Sequence, residues 1–266
     1  MAFAYDDRLR EEYVRDGFTI LRGIIPPSLL SDLRREADRA RDIARRQHGA
    51  QAQRLQPVYE YDELNHRPFT EFLELPDVQT VRGMLLGPDH TTTRNMGILL
   101  EPAEHPWCTQ WHRDWGYNVP DLDLATFFEF SRNLATFCQF NGALYDDHSL
   151  WAVPGSHNRE DTPEERAAFP VVPPPSPDFS GARTPEERER LCQEYVRSMP
   201  GATQVSLFAG DVAIYRASCW HIGNYVPYVK RATLHDNFVS PDDLRWREEV
   251  PKMQERIRAA RAKASV

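Results

Sequence analysis

The sequence predicts a mainly β protein with flanking helices, of the antiparallel barrel or jelly-roll type. From about residue 92 onward, short runs rich in Trp, Phe, Val, Thr and Leu recur between Gly, Pro, Asp and Asn residues, as in antiparallel strands. Before that point, apolar residues recur at helical spacing instead. Short antiparallel strands in this number, preceded by helices, are typical of barrels and jelly rolls.

The N-terminal part, about residues 1–90, is predicted to be helical with one strand. A short helix over 10–16 leads into a strand over 17–21. Pro26 and Pro27 then precede a helix over 28–46, since proline is tolerated in a first helical turn, where its missing N–H would have no partner. A polar loop follows, and 69–86 contains two short helices divided by Pro76.

The barrel is expected over about 92–240. The predicted strands cover 93–101, 108–114, 134–144, 149–153, 203–208, 211–217, 220–226 and 231–239. A polar, proline-rich insertion at about 157–200 interrupts them and ends in a helical stretch at 184–198. Connections of this length are usually lids or binding loops, so we expect a lid. The tail, 242–264, is predicted to be a charged helix that is solvated or packs in a dimer. We expect one domain over 1–266, in a monomer or homodimer.

Composition excludes several classes of function. The net charge of −8 provides no excess of cations for broad nucleic-acid binding. No apolar run is long enough to span a bilayer, and the acidic N-terminus does not resemble a secretory signal. The four cysteines are widely spaced, without a Cys-x-x-Cys pair, which argues against a zinc ribbon. We expect a cytoplasmic, reduced protein with a small-molecule substrate and no nucleic-acid or membrane partner.

One predicted strand carries the sequence His112-Arg113-Asp114. Alternate residues of a strand face the same side, so Gln110, His112 and Asp114 are expected to point together into the barrel. An imidazole and a carboxylate side by side can occupy two positions of an octahedral metal. The motif alone is weak, because a His-x-Asp sequence occurs often by chance.

A second region strengthens the metal hypothesis. A strand, a Gly210-Asp211 turn and a further strand lead to His221 at the start of the next strand. Two histidines and one carboxylate form the facial triad of non-haem iron(II) oxygenases. Ten residues later, Arg231 and Thr233 lie on one strand face. A guanidinium and a hydroxyl suit the far carboxylate of 2-oxoglutarate. The neighbouring Lys230 is an alternative for this cation.

These motifs, in this order, resemble the phytanoyl-CoA dioxygenase family. The resemblance also includes the opening 13–23 and the sequence Trp-Ala-Val-Pro-Gly-Ser-His at 151–157, and it extends from about residue 9 to 240. It implies a double-stranded β-helix (a cupin-like jelly roll) with Fe(2+), and 2-oxoglutarate and O2 as co-substrates. It assigns the metal to His112, Asp114 and His221, and the co-substrate carboxylate to Arg231.

Other site residues are expected from strand alternation. Gln139 and Asn141 are candidates for the near end of 2-oxoglutarate, and Thr233 for its far end. Gln110, Tyr117 and Trp151 are candidates for the substrate pocket. We expect no catalytic residue beyond the metal ligands, and His157 and His235 are expected to be structural or satisfied polar groups.

The predicted activity is that of a 2-oxoglutarate-dependent dioxygenase. It hydroxylates a C–H bond of a small organic metabolite and releases succinate and CO2. Two alternatives remain open at this point. One is a cupin-like protein that binds a small molecule without turnover. The other is a zinc hydrolase, because zinc also accepts two histidines and one carboxylate.

Overall fold

The computed structural model describes residues 3–116, 119 and 121–264. Helices flank the sheets on several sides. In this part of the chain the helices are α1 (Asp7–Asp16), α2 (Pro27–His48), α3 (Arg67–Glu74), α4 (Pro76–Leu86), α5 (Leu124–Ser131), α6 (Pro163–Ala168), α7 (Pro185–Arg197) and α8 (Pro241–Ala264). One 3-10 turn, Val58–Glu60, precedes α3.

The N-terminal helices agree with the sequence prediction. Helix α1 begins where the Asp6 side chain accepts a hydrogen bond from the Arg8 amide, and ends at Gly17, whose φ of 82° suits glycine. Helix α2 starts with proline in its first turn and buries an apolar stripe that includes Leu29 and Leu33. The predicted division between α3 and α4 at Pro76 is confirmed.

Most of the strands are shorter than predicted. The strands are β1 (Phe18–Leu21), β2 (Arg54–Leu55), β3 (Thr91–Thr92), β4 (Gly97–Leu100), β5 (Trp107–Cys108), β6 (Cys138–Ala143), β7 (Asp147–Ala152), β8 (Thr203–Leu207), β9 (Val212–Arg216), β10 (His221–Tyr225) and β11 (Ala232–Val239). The predicted strand over 108–114 is wrong, because β5 ends at Cys108 and only an isolated bridge at His112 continues the pairing. The end of this segment is set locally, since 114–116 form a turn in which Trp115 adopts a left-handed φ of 62°.

The strands form two antiparallel sheets. The larger sheet has the order β1-β9-β6-β11-β4-β2, with β3 added beside β11, and the smaller has the order β5-β10-β7-β8. Neighbours in this order come from distant parts of the chain. Strands β6 and β11, for example, pair over six residues, from Thr233 opposite Ala143 to Phe238 opposite Cys138.

Alternation along the strands separates two faces of the larger sheet. One face packs against α1 to α4 through residues such as Phe140, Leu234 and Phe238. On the other face Ala213 and Tyr215 pack with residues of β7 and β8, so this cluster joins the two sheets. The candidate site lies on this second face.

The insertion and the tail are packed parts of the fold. Cys192 and Val196 of α7 are buried against Trp220, on the outer side of the smaller sheet. The predicted tail helix is confirmed as α8, but its residues Trp246 and Val250 are buried beside the α5 aromatics, so the expectation of a solvated tail is wrong. Apolar residues at positions 246, 250 and 253 recur at helical spacing and form the buried stripe.

Two global features follow from the described residues. All four cysteines are buried and free. Among the same residues, no helix has both the length and the apolar character that a membrane span requires.

Candidate metal centre

Three side chains predicted as metal ligands meet at one point. One ligand atom from each of His112, Asp114 and His221 lies within 4.8 Å of the others. The Nε2 atoms of His112 and His221 are each 3.9 Å from a carboxylate oxygen of Asp114. The His112 and Asp114 side chains remain 22% and 24% exposed, so the cluster opens to the adjoining cavity.

Backbone carbonyls orient both imidazoles. The Nδ1 atom of His112 lies 2.8 Å from the carbonyl oxygen of Gln110, and that of His221 lies 2.9 Å from the carbonyl oxygen of Cys219. Each Nδ1–H can therefore donate to a carbonyl, which leaves the Nε2 lone pair directed at the cluster. This is the usual second contact of a metal-binding histidine.

The intervening residue anchors the ligand segment from the opposite side. Arg113 is fully buried, and its guanidinium donates to the carbonyl oxygens of Ser156 and Ser218 and to Asp161. Arg113 therefore points away from the cavity, and His112 and Asp114 point into it. The sequence prediction of alternation is correct here, although the segment is not a continuous strand.

Asp114 is held as a carboxylate. The Gln139 amide donates to its Oδ2 at 2.7 Å. Burial by itself raises the pKa of Asp114, but the His221 and His112 rings and the Gln139 hydrogen bond outweigh burial, and the pKa lies below its ordinary value. Burial, followed by repulsion from His112, lowers the pKa of His221 to about 4. Near neutral pH the cluster therefore contains a carboxylate and a neutral His221, the forms that ligate metals.

The cluster forms part of the wall of a cavity of about 600 Å³ between the two sheets. This is within the usual range for small-molecule sites. The lining is largely polar, and it includes the predicted residues Gln110, Gln139, Asn141 and Arg231.

Arg231 lies buried in the same wall, and its position is fixed by acidic residues. Its Nε donates to Asp147 Oδ2 at 2.8 Å, and its backbone amide donates to Glu101. Among the described residues its two Nη groups have no hydrogen-bond partner, so they are free to hold a carboxylate. The alternative cation, Lys230, instead forms an ion pair with Asp38 at the surface.

Thr233 stabilises Asp147 and does not line the cavity. Its hydroxyl is fully buried and donates to Asp147 Oδ2 at 2.6 Å. Burial raises the pKa of Asp147, but the Arg231 charge and the hydrogen bonds from Thr233 and Ser149 outweigh it and hold the pKa below its ordinary value. Thr233 thus supports the arginine through a shared carboxylate.

Two tyrosines that were not predicted as site residues also line the cavity. The guanidinium of Arg231 lies 4.8 Å from the centre of the Tyr225 ring, a cation–π distance. Tyr225 folds back over Gly223, where a Cβ would overlap its hydroxyl, so glycine allows the ring to take this position. Burial raises the pKa of both Tyr215 and Tyr225. Both phenols therefore stay protonated at neutral pH.

Sequence reasoning also missed three basic residues. Arg54, His235 and Arg247 line the cavity. Arg54 lies on β2, in a segment predicted to be a loop, and no motif marks it. His235 could have been found by alternation from Arg231 and Thr233. Its Nδ1 contacts Asn141 Oδ1 at 2.9 Å, so it is a satisfied polar group as expected, although in the cavity.

The remaining residues predicted for the substrate pocket are Trp151 and Tyr117. Trp151 packs with Val153 and Trp220 beneath α7 and does not line the cavity, so its assignment is wrong. Its neighbour Leu150 faces the cavity because Leu150 packs between the sheets, and alternation turns Trp151 outward. Tyr117 lies outside the described residues.

Comparison with solved structures shows the fold. AviO1 from Streptomyces viridochromogenes Tue57 is 18% identical with a TM-score of 0.59, over 91% of this chain and 97% of that chain. EctD from S. alaskensis, solved with 2-oxoglutarate and 5-hydroxyectoine, is 15% identical with a TM-score of 0.60, over 90% and 77%. The non-heme alpha ketoglutarate dependent epimerase SnoN from nogalamycin biosynthesis is 18% identical with a TM-score of 0.55, over 88% and 80%.

The chain thus shares the fold of these proteins, at an identity that shows the fold alone. No protein-family model and no curated protein matches the sequence. The resemblance to the phytanoyl-CoA dioxygenase family therefore stays a prediction.

Proposed function

We propose that this protein is an Fe(II)- and 2-oxoglutarate-dependent oxygenase that oxidises a C–H bond of a small organic metabolite. The main support is the meeting of His112, Asp114 and His221 at one point of a cavity whose wall also holds Arg231. The proposal includes a jelly-roll arrangement of the two sheets in a single domain. EctD and SnoN, which have the same fold, were solved with 2-oxoglutarate and with Fe3+ and alpha ketoglutarate respectively.

The donor set fits iron. Two imidazole nitrogens and one carboxylate match the facial triad, which leaves further coordination positions open. The ring nitrogens that face away from the cluster are bound to backbone carbonyls, as a ligating histidine requires. When bound, iron would supply, with 2-oxoglutarate and O2, the oxidising power for C–H cleavage, with succinate and CO2 as co-products.

The protein residues would bind and orient the reactants. Arg231 would hold the far carboxylate of 2-oxoglutarate through its free Nη groups, because Asp147 occupies only Nε. Arg54 would add a second positive charge near this end, since its charge lowers the pKa of Tyr225, as that of Arg231 does. Gln139 would orient Asp114. This role replaces the predicted contact of Gln139 with the near end of 2-oxoglutarate. The polar residues that line the cavity would hold a substrate with polar groups.

The test uses anaerobic protein with Fe(II) and 2-oxoglutarate. We expect a weak visible absorption band that needs both additions, and we expect His112→Ala to abolish it. Absence of the band from the unaltered protein would refute the proposal. A cupin-like binding protein would give no succinate with any substrate of a metabolite panel. In a zinc hydrolase Arg231 would not anchor 2-oxoglutarate. Arg231→Ala would then leave any affinity for 2-oxoglutarate unchanged.

A further inference from the structure

A second cavity, of about 480 Å³, lies on the helical side of the larger sheet, against α3, α4 and β3. The residues of this second cavity that matter here are Tyr59, Thr70, Glu74, Arg82 and Arg94. It lies across the sheet from the metal centre. Phe238 of β11 faces this side, whereas His235 and Asn237 of the same strand line the first cavity, as alternation requires.

Arg82 is a buried cation without a counter-charge. The residue is 5% exposed, and it forms no ion pair with any residue that the structure describes. Its guanidinium carbon lies 4.6 Å from the centre of the Phe238 ring, and its Nε has no hydrogen-bond partner. Burial lowers the pKa of Arg82, and no carboxylate opposes this effect. A buried charge without a partner is costly, so an unpaired arginine that borders a cavity indicates an anionic ligand.

The rest of the wall suits such a ligand. Arg94 lies at the exposed edge of the cavity and adds a second guanidinium, which also has no ion-pair partner in the described part of the chain. Tyr59 and Thr70, which carry hydroxyl groups, also line the cavity. Glu74 also borders it, but its side chain is exposed and forms no ion pair there with either arginine, so solvent screens its repulsion of an anion.

The volume indicates more than a bare ion. A cavity of about 480 Å³ is many times the roughly 30 Å³ that one water molecule occupies in the liquid. We propose that the second cavity binds a small organic metabolite through a carboxylate or phosphate group held by Arg82. The planar guanidinium binds either oxyanion through two parallel hydrogen bonds, and the Phe238 ring holds it in place from one face.

The binding test uses metal-free protein in bis-tris chloride, with inorganic phosphate and acetate as separate probes at matched ionic strength. Isothermal titration should show one site for at least one probe, and the tighter probe identifies the head group. We expect Arg82→Gln to weaken binding at least tenfold and Arg94→Gln to weaken it less. Arg54→Gln, which alters an arginine of the first cavity, should leave this affinity unchanged. Equal affinity in Arg82→Gln and the unaltered protein would overturn the proposal.

Thermal unfolding gives a second, independent measurement. A ligand that binds only the folded state raises the Tm, so the tighter probe should raise the Tm of the unaltered protein and of Arg54→Gln. It should not raise that of Arg82→Met. Without either probe, Arg82→Met should melt no lower than the unaltered protein, because the substitution removes an unpaired buried charge. If neither probe raises the Tm of the unaltered protein or of Arg94→Gln, the proposed site does not exist.

Discussion

His112 and His221 exchange both of their backbone hydrogen bonds. The His112 amide donates to the His221 carbonyl at 3.2 Å, and the His221 amide donates to the His112 carbonyl at 3.0 Å. This isolated bridge sets two proposed metal ligands side by side, with ring centres 4.2 Å apart. The backbone therefore fixes their separation before any metal binds, which is the preorganisation that a metal site requires.

Loss of the Gln139 amide should weaken metal binding. Gln139→Leu removes the hydrogen bond that orients Asp114, and such supporting contacts typically contribute about 10–100-fold in metal affinity. Anaerobic Fe(II) titration measures the change. Asn141→Leu is the control, since Asn141 lies on the same strand and lines the same cavity but contacts His235. An unchanged affinity in Gln139→Leu would show that Asp114 needs no such support.

Asp147→Asn should destabilise the protein in a pH-dependent way. Removal of the buried partner of Arg231 should cost about 3 kcal/mol at pH 7. The pKa of folded Asp147 is lowered, so its contribution is complete above its unfolded pKa of roughly 3.9 and is lost as the pH falls through the folded value. The free energies of unfolding of the two proteins, measured with urea, should therefore begin to converge below about pH 4.

Thr233→Val is the matched control for this substitution. It removes one hydrogen bond to Asp147 and leaves the ion pair, so we expect a loss of about 1 kcal/mol. A gap between Asp147→Asn and the unaltered protein that stays constant from pH 7 to pH 3 would contradict the assigned role of the carboxylate.

Arg54 and Arg247 should differ in their effect on the co-substrate. Arg54 lowers the pKa of Tyr225, as Arg231 does, whereas Arg247 lies over the Trp115 ring at 5.2 Å. Arg54→Gln should therefore raise the KM for 2-oxoglutarate about tenfold, equivalent to about 1.4 kcal/mol. Arg247→Gln should leave it unchanged. Steady-state succinate release measures both, and equal effects would mean that Arg54 has no special place near the Arg231 end.

Gly223→Ala should disturb the co-substrate end of the cavity. The new Cβ would displace the Tyr225 hydroxyl and move the ring away from Arg231. We expect the affinity for 2-oxoglutarate to fall about tenfold, because about one cation–π contact is lost. The affinity for Fe(II) should be unchanged. Gly181→Ala is the control, because a Cβ there meets nothing. Weakened Fe(II) binding in Gly223→Ala would mean that Tyr225 also supports the metal centre.

The C-terminal helix should contribute strongly to stability. Trp246 is 1% exposed and packs against Phe127, Phe130 and Phe137, so Trp246→Ala should cost about 3–5 kcal/mol. Leu244→Ala, on the exposed face of the same helix, should change stability by less than about 0.5 kcal/mol. Chemical denaturation measures both. Equally small effects of the two substitutions on stability would mean that the tail helix is solvated.

The sequence by itself determined which residues are proposed as metal ligands and which faces they share. Residue types limit the chemistry, and alternation is a local property of the chain, so the sequence alone assigns Gln110, His112 and Asp114 to one face. The predicted helix ends also lie close to the observed ones, because caps and prolines act within a few residues.

Only the tertiary structure decided the rest. Arg54 and Asp147 come from segments without a motif, and strand pairing brings Arg54 to the cavity and Asp147 to Arg231. The outward direction of Trp151 depended on which side α7 packs, a long-range choice that local alternation does not contain. Pairing partners and buried counter-charges are contacts between distant residues, and local sequence rules describe only neighbours.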